Sequence, residues 1–162
     1  MEIRDATPED WPAIWPFFES IVRAQETYAY DPATGPEEGQ ALWMSQPPGR
    51  TAVAEVAGRV VASSKMGPNR PGPGSHVGTA SFMVDPDARG HGVGRALAED
   101  MIAWHRREGY AAIQFNAVVE TNTAAVRLWR DLGYVVVGTV PEAFAHPRHG
   151  RVGLHVMHLD LG

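Results

Sequence analysis

Ser81-Phe82-Met83-Val84-Asp85-Pro86-Asp87-Ala88-Arg89-Gly90-His91-Gly92-Val93-Gly94-Arg95-Ala96-Leu97 is the stretch whose reading decides the fold of this chain. It opens as an apolar β run, stops at Pro86, crosses a loop with glycines at alternate positions, and enters an amphipathic helix. A strand, glycine loop and helix start in that order make an anion site. The first N–H groups of a helix have no partner inside it, and glycines let a diphosphate approach them closely. Arg89 and Arg95 add positive charge at either end of the loop.

Two familiar phosphate loops do not fit. A lysine-type loop requires Lys followed by Ser or Thr after its last glycine, and Arg95-Ala96 stand there instead. A dinucleotide loop requires G-x-G-x-x-G at the first strand of a βαβ unit with an acidic residue about twenty positions on. Here G-x-G-x-G lies in the middle of the chain. Taken alone, the glycines read equally well as a tight strand-to-helix turn, so the surroundings decide.

Upstream, Glu2 to Ala6 reads as a strand, Thr7 as a helix cap and Pro8 as a first helical residue. Trp11, Ile14, Trp15, Phe18 and Val22 recur at helical spacing and form a core face, with Pro16 expected to kink the helix or end its first segment. Gln25 to Pro36 is a polar-aromatic loop carrying Tyr28 and Tyr30, and a short helix follows near Glu37 to Ser45. Thr51 to Val56 and Arg59 to Lys65 flank Ala57-Gly58 as a hairpin. Gly67 to His76, rich in proline and glycine, reads as an ordered loop at a sheet edge or site rim. A linker is excluded because the hairpin before it and the strand after it cannot each form a stable domain.

Downstream of the strand Val77 to Val84, the helix places Val93, Leu97, Met101 and Trp104 on one face and stops at Gly109. Ala111 to Val119 is a strand, and Asn122 caps a helix with Ala125, Leu128, Trp129 and Leu132 at core spacing. Tyr134 to Val140 and Gly153 to Leu159 are the last strands, with Pro141 to Arg151 expected as a long loop. The order β-α-α-β-β-β-α-β-α-β-β predicts one α/β domain of α+β type over residues 1–162. Its sheet is mixed and mostly antiparallel, with about seven strands and about four flanking helices.

Composition narrows the classes. A chain of 162 residues suits one domain with a substantial core. No run of about 18 apolar residues could cross a bilayer. Met1-Glu2-Ile3-Arg4-Asp5 lacks the basic-then-apolar pattern of a secretion signal, so a cytoplasmic location with no membrane partner is the expectation. The absence of cysteine excludes disulfides, thiolate metal sites and a cysteine nucleophile, leaving any acyl transfer to proceed without an enzyme thioester. A formal net charge of −5 argues against nucleic acid as a partner, because phosphate binding needs a basic surface. His146 and His149 lie in a Pro/Arg-rich loop, while His155 and His158 fall on opposite sides of a predicted strand. Neither pair has metal-ligand spacing, and no metal is expected.

The strand with Val84-Asp85-Pro86, the pattern Arg89-x-x-Gly92-x-Gly94, the helix, the next strand, Asn122, and Leu128-Trp129-Arg130-Asp131-Leu132-Gly133-Tyr134 together resemble the GCN5-related N-acetyltransferase (GNAT) family. That resemblance implies acetyl-CoA as co-substrate, direct transfer to an amine, and a sheet splayed open between its fourth and fifth strands. It also implies cofactor contacts at Met83 and Val84, along Arg89, Gly90, His91, Gly92, Val93, Gly94 and Arg95, and at Asn122 and Trp129. Many relatives carry a tyrosine where this chain has Trp129; indole N–H donates a hydrogen bond but is not a usable acid.

Within the family, Lys65-Met66-Gly67-Pro68-Asn69, Ser75-His76, Phe115-Asn116, Thr121-Asn122, Leu128-Trp129 and Val140-Pro141 are similar to the L-azetidine-2-carboxylate N-acetyltransferase type. There an asparagine precedes the glycine loop on its strand, where this chain has Thr79, and Asn116 matches a second substrate-contacting asparagine. The implied acceptor is a small-molecule amine, an amino acid or proline analogue. A peptide N-terminus and a non-catalytic CoA-binding module are the alternatives, and a homodimer is a family-level expectation.

An amine must lose a proton before it attacks. His76 has a suitable unperturbed pKa and is the leading base candidate, with Thr79 or Asn116 to orient a relaying water. Glu120 is the second base candidate, and each of these has a plain structural reading as well.

Overall fold

The computed structural model describes residues 1–162. Its elements are β1 (Glu2–Asp5), α1 (Trp11–Ala24), α2 (Pro36–Trp43), β2 (Arg50–Val56), β3 (Arg59–Pro68), β4 (Val77–Val84), α3 (Val93–Arg107), β5 (Ala112–Val119), α4 (Thr123–Asp131), β6 (Val135–His146) and β7 (Gly150–Asp160). They form one seven-stranded sheet in the order β1-β2-β3-β4-β5-β7-β6. The single parallel pair is β4 with β5, and every other neighbour is antiparallel. The α/β fold expected from the element order is the fold observed.

Two apolar layers sandwich the sheet. On one face α3 and α4 lay Leu97, Met101, Trp104 and Trp129 against Ala52, Ala62, Met66, Ile113, Phe115 and Met157. On the other, α1 and α2 lay Ile14, Phe18, Val22 and Trp43 against Val53 and Met83. Strand alternation makes this possible, because successive side chains of β3 and β4 serve opposite layers.

One expectation is narrowed and another needs correction. Pro16 does not end α1, which runs unbroken from Trp11 to Ala24. The buried face of Trp11, Ile14, Phe17, Phe18, Ile21 and Val22 holds the helix across the bond Pro16 cannot donate. Nor is Pro141 to Arg151 a long loop: β6 continues to His146 and pairs with β7 as far as His146↔Gly150. Register shifts between Val136/Gly138 and Val140/Phe144, with Glu142 at φ 52, absorb Pro141 in a bulge of an edge strand, where a missing N–H is tolerated.

The feature that positions the site is the seam between β4 and β5. Only Val77↔Ala112 and Gly78↔Ile113 pair before the strands part. The splay that the resemblance implied is present, and it widens toward the glycine loop.

Candidate active site

β4 forms one lip of the opening. Its odd-numbered residues bond to β3: Asp85 N–H donates to Val61 O at 2.8 Å, and Val77 O accepts from Asn69 N–H at 2.8 Å. Antiparallel alternation therefore turns the backbone groups of Ala80, Phe82 and Val84 toward β5, beyond the last paired residue, Gly78. Phe82 alone finds a partner there. The Tyr28 hydroxyl accepts from Phe82 N–H at 2.8 Å and donates to Phe82 C=O at 2.6 Å. One phenol thus stands in for a missing strand. Burial pushes the Tyr28 phenol above the ordinary tyrosine range, so it stays protonated and able to donate.

The glycine loop closes the wide end of the opening. Gly92 caps α3 at φ 77 and ψ 0, and Gly90 has φ 81, conformations that side chains resist. The N–H groups of residues 90 to 95 have no partner in the protein, and the first bond into the helix is Ala96 N–H to Gly92 O at 3.1 Å. A Cβ added at Gly90 or Gly92 would meet nothing within 4 Å, so the loop stands clear of other atoms on that side. A Cβ at Gly94 would lie 3.7 Å from Val84 Cγ2, which sets the cradle directly beside the end of β4. Free amides at a helix start, joined to an open strand edge, suit a diphosphate followed by an extended amide-bearing arm.

The remaining expected cofactor residues are placed less uniformly. Arg89 and His91 are exposed in the loop. Arg95 is exposed and reaches across to α4, pairing with Asp131 at 3.2 Å. Asn122 caps α4, its side chain accepting from Ala125 N–H at 3.3 Å. Trp129 is buried, with its ring 4.9 Å from Phe82 and 4.7 Å from Phe115, and forms the apolar floor below the opening. Met83 is not at the opening: its side chain is buried in the α1 layer. Tyr134 beside this floor is buried with an unpartnered hydroxyl, and burial raises its phenol pKa.

On the α1 and α2 face, Thr79 and Asn116 flank the point where the strands part. Asn116 donates to Asn69 Oδ1 at 2.7 Å and accepts from Asn69 at 3.2 Å and Gln114 at 3.0 Å. Asn69 and Gln114 are partners that the sequence did not mark, although Asn69 ends the quoted Lys65-to-Asn69 motif. Thr79, Ala80 and Ser81 line a cavity of about 340 Å³ together with Lys65 and the loop Ser45 to Gly49.

His76 stands apart. It is exposed before the start of β4, six residues from Phe82, or roughly 20 Å along an extended strand. Glu120 is also apart, its carboxylate accepting from Gly153 N–H in a separate cavity of about 400 Å³ beside α4.

The model of the acetyltransferase (GNAT) family matches residues 10–134. The chain belongs to that family. A GCN5-related N-acetyltransferase from Kribbella flavida is 63% identical over 98% of this GNAT chain and 96% of its own, with a TM-score of 0.95. The yncA protein of Salmonella typhimurium, solved with its cofactor acetyl-CoA, is 26% identical over 100% of this chain and 94% of its own, with a TM-score of 0.84. Among curated proteins, the N-acetyltransferase aca1 of Schizosaccharomyces pombe is 34% identical over 93 residues, 57% of this chain and 42% of aca1. The GNAT chain therefore spans less than half the length of that curated relative.

Proposed function

We propose that this GNAT chain is an acetyl-CoA-dependent N-acetyltransferase that acylates the amine of a small molecule, an amino acid or a proline analogue of the azetidine-2-carboxylate kind. The observation that carries the reading is the continuity of the partnerless amides at residues 90 to 95 with the open edge of β4. When bound, acetyl-CoA would supply an acetyl group activated as a thioester: a C–N bond forms to the amine as the C–S bond breaks, and coenzyme A leaves as its thiol, with a net proton going from nitrogen to sulfur.

This chain's residues divide the remaining work. The α3 amides and the glycine loop hold the anionic end of the cofactor, and the backbone of Val84 and Ala80 offers hydrogen bonds to its arm. Phe82, Phe115 and Trp129 exclude water below it. Tyr28 offers a protonated phenol at Phe82, and Asn116, clamped by Asn69 and Gln114, orients the acceptor with Thr79. His76 lies away from Phe82 and Glu120 lines a separate cavity, so water in the polar cavity is the group assigned to take the acceptor's proton.

The pocket beside Thr79 and Ser81, about 340 Å³ and open to solvent, has room for a small acceptor. The deciding experiment is acetyl-CoA consumption across a panel of amines, amino acids and proline analogues, with mass detection of the product. Acetylated amino acid is the expected result. Acetyl-CoA binding with no turnover on any amine would overturn the enzyme reading in favour of a CoA-binding module.

A further inference from the structure

Lys65 is the only lysine in the chain and the only charged residue lining the acceptor cavity. It is half-buried on β3, directly opposite Ser81, while the neighbouring pair on the same face is Gly67 opposite Thr79. Gly67 carries no side chain, and a Cβ there would sit 3.1 Å from the Gly49 backbone, so the α2–β2 loop packs close and walls one side of the cavity. The Lys65 ammonium lies 5.7 Å from the Tyr30 ring centre and 5.6 Å from that of Trp43. It donates to Leu42 O, a carbonyl in the last turn of α2, at 2.7 Å.

That bond uses one of three ammonium donors. No carboxylate pairs with Lys65, and all nine ion pairs of this chain use arginine. The rest of the lining is hydroxyl, amide, glycine, proline and apolar surface. A solvent-facing ammonium with spare donors and no counterion, beside a neutral polar cavity, can receive an anion.

We propose that Lys65 is the anion-recognising group of the acceptor pocket, and that the acceptor is a small amine carrying a carboxylate. The inference rests on the acetyl-transfer reading and names the residue that would hold the carboxylate of such an acceptor. Strand β4 alone separates Lys65 from the opening, an interstrand step of about 4.8 Å. An acceptor whose carboxylate engages Lys65 therefore projects a nearby amine past Thr79 and Ser81 toward the edge where the strands part. An α-amino acid has that compactness. Capping of α2 and the Tyr30 and Trp43 rings position the ammonium and leave its other donors free for an anion.

The test compares L-proline and acyclic L-amino acids with their primary amides as acceptors in steady-state kinetics. The wild-type protein should favour the acids by about tenfold or more in kcat/KM, the range of one charge-assisted contact. Lys65→Gln should erase that preference by raising KM for the acids alone, and Lys65→Arg should retain much of it. A folded Lys65→Gln protein that discriminates acid from amide as the wild type does would overturn the proposal.

Should the glutamine variant fail to fold, the wild type still decides. With ¹⁵N-lysine labelling, the chain's one side-chain amine gives one Nζ resonance. It should move on titration with L-proline or another preferred acid and stay in place with the matching amide. An unmoved resonance at a saturating concentration of an acid that is acetylated would overturn the assignment. A protein that binds acetyl-CoA and acetylates no amine, yet shows the acid-specific Nζ shift, would sink the transfer reading and leave the Lys65 site standing.

Discussion

At the scale of the residue, Tyr28 is the contact no reading of the sequence could supply. Its loop was legible as polar and aromatic, but its partner lies 54 positions away and is backbone, which has no side-chain signature. The same holds for the Asn69 and Asn116 pair, which are 47 apart and joined only once β3 and β5 flank β4. The glycines were legible because left-handed turns and close approach restrict residue type. Tyr28→Phe should lower stability of the unliganded protein by about 1 kcal/mol, because Phe82 N–H and C=O lose their partner in a partly wetted gap. Urea unfolding checks this; an unchanged midpoint would mean that water serves Phe82 equally well.

At the scale of the element, helix α3 joins function and stability. Gly94 is helical and has only Val84 Cγ2 near its missing side chain, so Gly94→Leu should fold. The larger side chain would enter the approach to the free amides, and acetyl-CoA affinity should drop at least about tenfold by calorimetry. Retained affinity in the folded variant would remove the cradle from the site. Farther along the helix, His105 is fully buried beneath Gly78, where an added Cβ would clash with its ring. Its Nδ1 bonds to Met101 O at 2.9 Å and its Nε2 has no partner.

Burial lowers the His105 pKa from 6.5, so the folded chain holds it neutral. A depressed native pKa means that the unfolded state takes up the proton first. The stabilisation is complete above pH 6.5 and declines as pH falls toward the native pKa, at a slope of up to about 1.4 kcal/mol per unit. Melting temperatures between pH 7.5 and 5 should show that fall, and His105→Leu should flatten it. The helices and most strands were legible from period and caps, whereas β6 was cut short at Val140. Pro141 signals a loop locally, and only pairing with β7 shows that a bulge absorbs it.

At the scale of the whole molecule, the edge strand β6 exposes Val135, Val137 and Val140 at 59%, 68% and 52%. An exposed strand edge with apolar side chains is a template for pairing. The chain is expected to self-associate through it, and Val137→Lys should shift light-scattering mass toward the monomer. A monomeric wild type at high micromolar concentration would contradict this. The fold as a whole was legible because element order and the glycine loop constrain topology tightly. The seam of two residue pairs was implied by family resemblance alone, since nothing in the composition of β4 or β5 says where pairing stops.

That seam gives the sheet a third free edge, inside rather than at its rim. Amide hydrogens along β4 should therefore exchange with a period of two: slowly at Ser81 and Met83, which bond to β3, and quickly at Ala80 and Val84, which bond to nothing. An occupant that lies along this edge works as an added strand. It should erase the alternation by slowing the even-numbered amides alone, so an isotope pattern along one strand reports occupancy without a turnover assay.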